Sequence, residues 1–146
     1  MQVRRCRASD AEAVAALANE LGYSTTVEQA RARLAWLLPQ GDHGVFAAEE
    51  DGRVVGWLHM HAARTLESDP FAELAGLVVT AARRGTGIGK ALVEAGLAWA
   101  AEQRLATVRV RSNVVRAAAH RFYEARGFRL LKTQAVFSRP SESPPA

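Results

Sequence analysis

A glycine-rich turn between an apolar run and an amphipathic segment constrains this sequence more than any other feature. Residues 77–79 form an apolar run typical of strands that are covered on both faces. Residues 84–90, RGTGIGK, follow, and their alternate glycines let a ligand approach the backbone closely. A helix predicted to begin near Ile88 adds unpaired N–H groups and the positive end of its dipole. The stretch therefore predicts an anion site, most simply for a phosphate or pyrophosphate.

Two common phosphate-binding motifs do not fit this turn. A P-loop, G-x-x-x-x-G-K-[ST], would need a glycine at Arg84 and a hydroxyl side chain at Ala91. A dinucleotide fingerprint, G-x-G-x-x-G, would need its third glycine at Lys90 and an acidic residue about twenty residues later. The pattern [QR]-x-x-G-x-[GA] does fit, as residues 84–89 directly after a predicted strand. A glycine-rich structural turn is the alternative interpretation.

Length and composition favour one globular domain. The 146 residues are enough for a single core, so we expect one domain over 1–139 and a disordered tail over 140–146. We expect no membrane span and no signal peptide, which makes the cytoplasm the default location. Cys6 is the single cysteine and excludes an internal disulfide. The net charge of +4 is scattered, which argues against a nucleic-acid-binding domain but keeps it as a rival.

Periodicity along the chain predicts the element order β-α-α-β-β-β-α-β-α-β-β. Thr26 and Gln29 form a capping-box pattern, and Asp51-Gly52 is a hairpin signal. We expect a polar loop at 62–70 and two last strands, one from Phe128 and one over 134–138. The helix that follows residues 106–111 would be capped by Ser112 and Asn113.

Three other side chains invite a choice of interpretation. Trp36 is assigned to the core in preference to the border of a substrate cleft. His59 and His61 would share one face of a strand, because side chains alternate there. That spacing suits a metal, but no third ligand is evident, so solvent-facing or hydrogen-bonded imidazoles are the preferred interpretation and no metal site is predicted.

A second motif supplies a check on the first. Residues 112–128, SNVVRAAAHRFYEARGF, contain [FL]-Y-E-x-x-G-[FY] on a predicted helix. With the turn at 84–89 and the element order, this resembles the GCN5-related N-acetyltransferase (GNAT) superfamily. The version S-N-x-x-R-x-x-A-H-R-F-Y-E is similar to the small bacterial aminoalkylphosphonate N-acetyltransferases.

The resemblance implies a fold and an activity. The fold is α/β (α+β), with a mixed, mostly antiparallel sheet of about seven strands and helices on both faces. The activity is transfer of an acetyl group from acetyl-CoA to a primary amine of a small molecule, by direct attack in a ternary complex, in a homodimer. Two alternatives stay open: a non-catalytic acyl-CoA-sensing module, and an acetyltransferase for protein N-termini or lysines.

The resemblance also assigns cofactor-binding residues. Backbone N–H groups of the turn would hold the pyrophosphate, and they belong to Arg84, Gly85, Thr86, Gly87, Ile88, Gly89 and Lys90. The pantetheine arm would pair with Leu77, Val78 and Val79 like an added strand. Asn113 would lie near the cofactor or cap its helix. Arg116 stands where many members have an asparagine, which puts one side-chain contact to the pantetheine in doubt.

Two residues carry the implied chemistry. The amine must lose a proton before it attacks the thioester, and the thiolate must gain one. Tyr123 would supply the second proton, although it can also be read as a core aromatic. Glu73 would act as the base, directly or through water, unless it is only a surface carboxylate. The N–H of Val79 would hold the developing oxyanion.

Overall fold

The structure, a computed structural model, describes residues 1–112 and 114–142 and divides into two compact units, Met1–Arg111 and Ser112–Ala146. The first unit contains β1 (Gln2–Arg5), α1 (Ala11–Glu20), α2 (Val27–Leu37), β2 (His43–Glu50), β3 (Arg53–Thr65), β4 (Ser68–Val79), α3 (Ile88–Glu102) and β5 (Val108–Val110). Single 3₁₀ turns, Ala8–Asp10 and Ala81–Arg83, precede α1 and follow β4. The second unit contains α4 (Ala117–Ala125). No helix of the described residues is long and apolar enough to cross a membrane.

The described strands form one sheet in the order β1-β2-β3-β4-β5. Neighbours are antiparallel except for β4 and β5, which are parallel. The mixed, mostly antiparallel sheet is therefore confirmed, but within residues 1–112 and 114–142 it has five strands and not seven. Residues 128–142 form no helix or strand, and Val136 and Phe137 are exposed by 85% and 92%. Apolar alternation alone does not make a strand, because a strand also needs a hydrogen-bonded neighbour.

The β3–β4 hairpin is much longer than the sequence indicates. Only Leu66 and Glu67 separate the two strands, so the polar loop expected at 62–70 is wrong. Pro70 lies within β4, where it is tolerated because β5 pairs with that strand only from Ala72 onwards. The hairpin turn at Asp51-Gly52 is confirmed.

One face of the sheet, the α3 face, packs against α3. Its largest fully buried side chains are Trp99, Leu58, Met60, Leu92 and Val93. A Cβ atom on Gly96 would lie 2.8 Å from Leu58 Cδ2, and one on Gly44 would lie 2.7 Å from Trp99 Nε1. The absence of side chains at these two positions lets α3 lie close to the sheet.

The opposite face, the helix-pair face, packs against α1 and α2. Its apolar cluster consists of Cys6, Ala11, Ala15, Ala30, Leu34, Val45 and Ala47. The predicted capping box of α2 is confirmed, since Gln29 N donates to Thr26 Oγ1 and Thr26 N donates to Gln29 Oε1. Trp36 is exposed by 60%, so its assignment to the core is wrong. Its ring instead meets His43 edge-on, 5.6 Å between centroids.

The second unit is organised around the C-terminal end of α4. Gly127 N donates to Glu124 O and Phe128 N donates to Tyr123 O, which is the bonding pattern of a glycine-terminated helix. Gly127, with a φ of +91°, therefore ends this helix. At the other end the N-cap is Arg116 and not Ser112 or Asn113, because the helix begins only at Ala117. Asn113 and residues 143–146 of the expected tail lie outside the described residues.

Candidate active site

Strands β4 and β5 separate beyond a short parallel ladder. β5 pairs only with Ala72, Glu73 and Leu74, whereas β4 continues to Val79 and stays paired with β3. A bulge at Ala75 marks the point of departure, since Leu74 pairs with Met60 and Gly76 with His59. Among the described residues, no strand pairs with the other side of 75–79, the open edge of β4. A cleft at the carboxyl ends of parallel strands is where such sheets bind ligands.

The open edge leads directly into the glycine turn, residues 84–90. Gly85 and Gly87 have φ values of +76° and +90°, and a Cβ atom on either would meet no other atom within 4 Å. Gly87 is the N-cap of α3, and the first helical bond runs from Ala91 N to Gly87 O. The N–H groups of the three residues between them therefore have no partner within the helix and face beyond its positive end. This is a cradle for phosphate oxygens.

Carboxylates from other elements hold the segment 80–83, which precedes this turn. Glu20, at the end of α1, accepts hydrogen bonds from Thr80 Oγ1 at 3.1 Å and Ala81 N at 3.2 Å. Arg83 forms an ion pair with Glu50 at 2.7 Å, so its charge is already compensated. Sequence reasoning missed both glutamates, because only the tertiary fold brings them to the turn.

A polar row crosses the helix-pair face next to the open edge. His43, His61 and Glu73 are in register across β2, β3 and β4. Glu73 Oε2 lies 3.0 Å from His61 Nε2, and Glu73 Oε1 lies 2.8 Å from Arg111 Nε. The predicted base is therefore in the site region, but each of its oxygens already has a cationic or N–H partner.

A third histidine, His59, joins this row. His59 shares the face of His61 as predicted, and its Nε2 lies 2.9 Å from Nδ1 of His43. Burial is the main cause that lowers the pKa of His59 to about 4, and the nearby His43 and His61 add to it. Burial also lowers the pKa of His43. The described residues contain no group of three or more His, Cys, Asp or Glu side chains arranged to hold a metal ion.

Trp57 borders the open edge on the same face. Its ring lies against Gly76, where a Cβ atom would be 2.8 Å from Trp57 Cζ3. Its Nε1 is buried and has no hydrogen-bond partner among the described residues. Sequence reasoning missed Trp57 and His43, since both reach the site only through strand register.

The predicted site residues are divided between the two units. Glu73, the open edge and the glycine turn belong to the first unit, and Arg116 and Tyr123 belong to the second. Tyr123 is partly buried and meets Phe122 and Phe128 edge-on, at 5.3 and 5.7 Å between centroids. Its catalytic role stays a prediction.

The family model of the Acetyltransferase (GNAT) family matches residues 11–128. The chain belongs to this family. The predicted family and its donor, acetyl-CoA, are confirmed at that level. The likeness to aminoalkylphosphonate N-acetyltransferases stays a prediction.

Individual relatives agree on the fold. The mycothiol acetyltransferase of Acidothermus cellulolyticus is 32% identical over 129 residues, which cover 80% of this chain and 38% of that protein. The chain thus spans much less than the full length of this curated relative. The aminoglycoside antibiotic 6'-N-acetyltransferase AAC(6')-IG of Acinetobacter haemolyticus superposes with a TM-score of 0.83 at 17% identity, covering 97% of this chain and 100% of that one. The aminoglycoside N-acetyltransferase AAC(6')-Iy in complex with CoA superposes with a TM-score of 0.84 at 19% identity, covering 96% and 94%.

Proposed function

We propose that this GNAT domain transfers the acetyl group of acetyl-CoA to a primary amine of a small molecule, by direct attack in a ternary complex. The observation that carries the proposal is the continuous path from the open edge of β4 into the glycine turn. A strand-like pantetheine arm would pair with residues 77–79, and a pyrophosphate would sit on the N–H groups at the start of α3.

Different groups of the chain are proposed to transfer protons and to stabilise the developing charge. Acetyl-CoA supplies an activated thioester carbonyl. The N–H of Val79 is proposed to stabilise the oxyanion, and the Tyr123 hydroxyl to protonate the departing thiolate. Glu73 is the candidate base that the resemblance implies. Its carboxylate contacts His61 and Arg111 in the structure.

The glycine turn can be tested by binding alone. Gly87→Ala places a Cβ atom at φ +90°, a conformation that costs a non-glycine residue about 1–2 kcal/mol. The turn will relax and misdirect its N–H groups, so we expect acetyl-CoA to bind about 5- to 30-fold more weakly by calorimetry. Gly41→Ala is the matched control, because no atom lies within 4 Å of its Cβ position and it has no positive φ. Equal affinity of the two variants would contradict the phosphate cradle.

Turnover is tested by thiol release from acetyl-CoA with a panel of amines. The panel contains an aminoglycoside, a polyamine, amino acids, an aminophosphonate, a peptide N-terminus and a lysine peptide. Thiol release with one of the small molecules supports the proposal, and release only with the peptides assigns the domain to protein acetylation. Tight binding of acetyl-CoA without release would instead identify an acyl-CoA-sensing module.

Tyr123 gives the sharpest catalytic prediction. Tyr123→Phe removes the proposed proton donor and keeps the ring, so we expect kcat to fall about 10²- to 10⁴-fold with unchanged acetyl-CoA affinity. Tyr23→Phe is the control, since Tyr23 is exposed by 60% in the first unit. An unchanged kcat for Tyr123→Phe would remove this residue from the mechanism.

The resemblance also leads us to propose a homodimer that works in the cytoplasm. Multi-angle light scattering of the purified chain tests the first point. Fractionation of the source cells tests the second.

A further inference from the structure

We propose that Glu20 is a positioning residue for the donor site, because its carboxylate fixes the junction between the open edge of β4 and the glycine turn. The inference rests on the proposed binding of acetyl-CoA along these two segments. Three observations carry it: the hydrogen bonds of the carboxylate, the closed helix end that bears it, and a negative charge that does not itself favour an anionic ligand.

The junction is the segment 80–83, and it connects the two halves of the proposed donor site. The open edge, residues 75–79, precedes it and would face the pantetheine arm, whereas the glycine turn, residues 84–90, follows it and would face the pyrophosphate. Both groups belong to one ligand, so the junction sets whether they can be contacted at the same time. A junction that is fixed before binding saves the ligand the cost of ordering it.

Glu20 caps the junction from another element. Residues 81–83 form a single 3₁₀ turn, and the first N–H groups of such a turn have no partner within it. Thr80 stands before the turn but does not cap it with its own side chain. Instead Glu20 Oε1 accepts a hydrogen bond from Ala81 N at 3.2 Å, and both carboxylate oxygens lie 3.1 Å from Thr80 Oγ1. One carboxylate therefore holds both backbone and side chain at the start of the junction.

The backbone that bears Glu20 has a defined place. Glu20 is the last residue of α1, and Gly22 follows with a φ of +86°. Tyr23 N donates to Ala18 O at 3.1 Å, which is the closing bond of a glycine-terminated helix. Ala18 itself is buried. Because this helix end is closed and packed, the Glu20 side chain links a fixed point of α1 to the junction.

The other end of the junction is held independently. Arg83 forms an ion pair with Glu50 at 2.7 Å, and its carbonyl oxygen accepts a hydrogen bond from Thr86 Oγ1. Loss of Glu20 would therefore free the start of the junction and leave its end in place. We expect such a loss to weaken the binding of acetyl-CoA without abolishing it.

The charge of Glu20 separates positioning from simple electrostatics. Within residues 1–112 and 114–142, Glu20 forms hydrogen bonds but no ion pair that would neutralise it. A carboxylate near the proposed pyrophosphate site repels that anion, so its removal alone would strengthen binding. A positioning role predicts weaker binding instead. The two explanations thus differ in the sign of the change in affinity.

Calorimetric titration with acetyl-CoA compares the wild type with Glu20→Ala, Glu20→Gln and Glu102→Ala. We expect Glu20→Ala to bind about 3- to 10-fold more weakly, in the range of one lost hydrogen-bonding group. Glu20→Gln keeps an oxygen for Ala81 N and loses only the charge, so it should bind at least as tightly as the wild type. Glu102→Ala is the matched control, since Glu102 is also the exposed last residue of a helix, α3, at the end far from the glycine turn. It should bind like the wild type.

Three results would overturn the positioning role. The first is a Glu20→Ala variant that binds acetyl-CoA as tightly as the wild type or more tightly. The second is an equal loss of affinity in Glu20→Gln and Glu20→Ala, because the amide keeps the capping oxygen. The third is a loss of general stability: Glu20→Ala should unfold within about 5 °C of the wild type, and a larger drop would make Glu20 a residue of the fold and not of the donor site.

A second measurement needs no ligand. NMR of the unliganded chain gives the rate at which each backbone amide exchanges its hydrogen with water. Exchange should become faster at Ala81 and over the glycine turn in Glu20→Ala, and Glu20→Gln should restore the wild-type rates. Unchanged rates in Glu20→Ala overturn the proposal even if acetyl-CoA binds. If the wild type binds no acetyl-CoA, the proposed function fails, whereas the exchange rates still decide whether Glu20 fixes the turn.

Discussion

The two faces of the sheet are formed by the same strands but differ in polarity. On the α3 face, Leu58 and Met60 are fully buried, and glycines bring the helix close. On the helix-pair face, Val45 and Ala47 pack in an apolar cluster, but the neighbouring positions carry histidines and Glu73. Adjacent residues of β3 thus alternate between core and polar cluster. The candidate chemistry lies where apolar packing stops, while the other face supplies the rigidity.

Substitutions of two tryptophans test the difference between the two faces most directly. Trp99 is buried on the α3 face with 2% exposure, whereas Trp36 beside the histidines is exposed by 60%. We expect Trp99→Ala to lower the free energy of unfolding by about 3–5 kcal/mol, since it leaves a large cavity. Trp36→Ala should change it by about 0.5 kcal/mol or less. Urea denaturation of both variants checks this, and similar losses would contradict the difference between the faces.

Acid should destabilise the helix-pair face through His59. The unfolded chain protonates this residue near its ordinary pKa of 6.5, but the folded chain does so only near a pKa of about 4. Between these values the unfolded state binds more protons, so the free energy of unfolding falls as pH falls, by up to about 3 kcal/mol. Denaturation at pH 7 and pH 4 should show a smaller drop for His59→Gln than for the wild type. Equal drops would show that His59 is not buried in its neutral form.

Adding a single methyl group at Gly44 tests how closely α3 must pack against the sheet. Gly44→Ala would place its Cβ 2.7–2.9 Å from the rigid Trp99 ring, so we expect a loss of about 1–3 kcal/mol. Gly41→Ala, two residues before β2, has space for the methyl group and should leave stability nearly unchanged. Thermal unfolding of the two variants gives the comparison. A stabilised Gly44→Ala would mean that the helix can move away from the sheet without cost.

Features set by neighbouring residues could be predicted from the sequence. The capping box of α2, the turn at Asp51-Gly52 and the glycine turn each depend on a few consecutive residues, and all three form. The family resemblance rested on the same kind of local spacing, which is why it was confirmed. The roles of Tyr123 and Glu73 stay predictions, because they depend on contacts with a substrate.

Features set by strand pairing could not be predicted. Residues such as Ala62 and Pro70 have weak strand propensity, yet pairing carries both β3 and β4 through them. Conversely, residues 134–138 alternate like a strand but form none. His43 and Trp57 reach the site by register across three strands, for which the sequence carries no local signal.

The three-residue ladder between β4 and β5 has a consequence for the order in which the protein folds. Strands β1 to β4 mostly join sequence neighbours through hairpins, whereas β5 can pair with β4 only after the chain has closed a loop that contains all of α3. Closing such a loop costs entropy before its few contacts form, so this pairing is expected late. The cleft exists only once it has formed. A nascent chain would therefore acquire its donor site only after the β2–β3 and β3–β4 hairpins, and saturating acetyl-CoA would raise the stability of the state that contains the β4–β5 pairing by mass action.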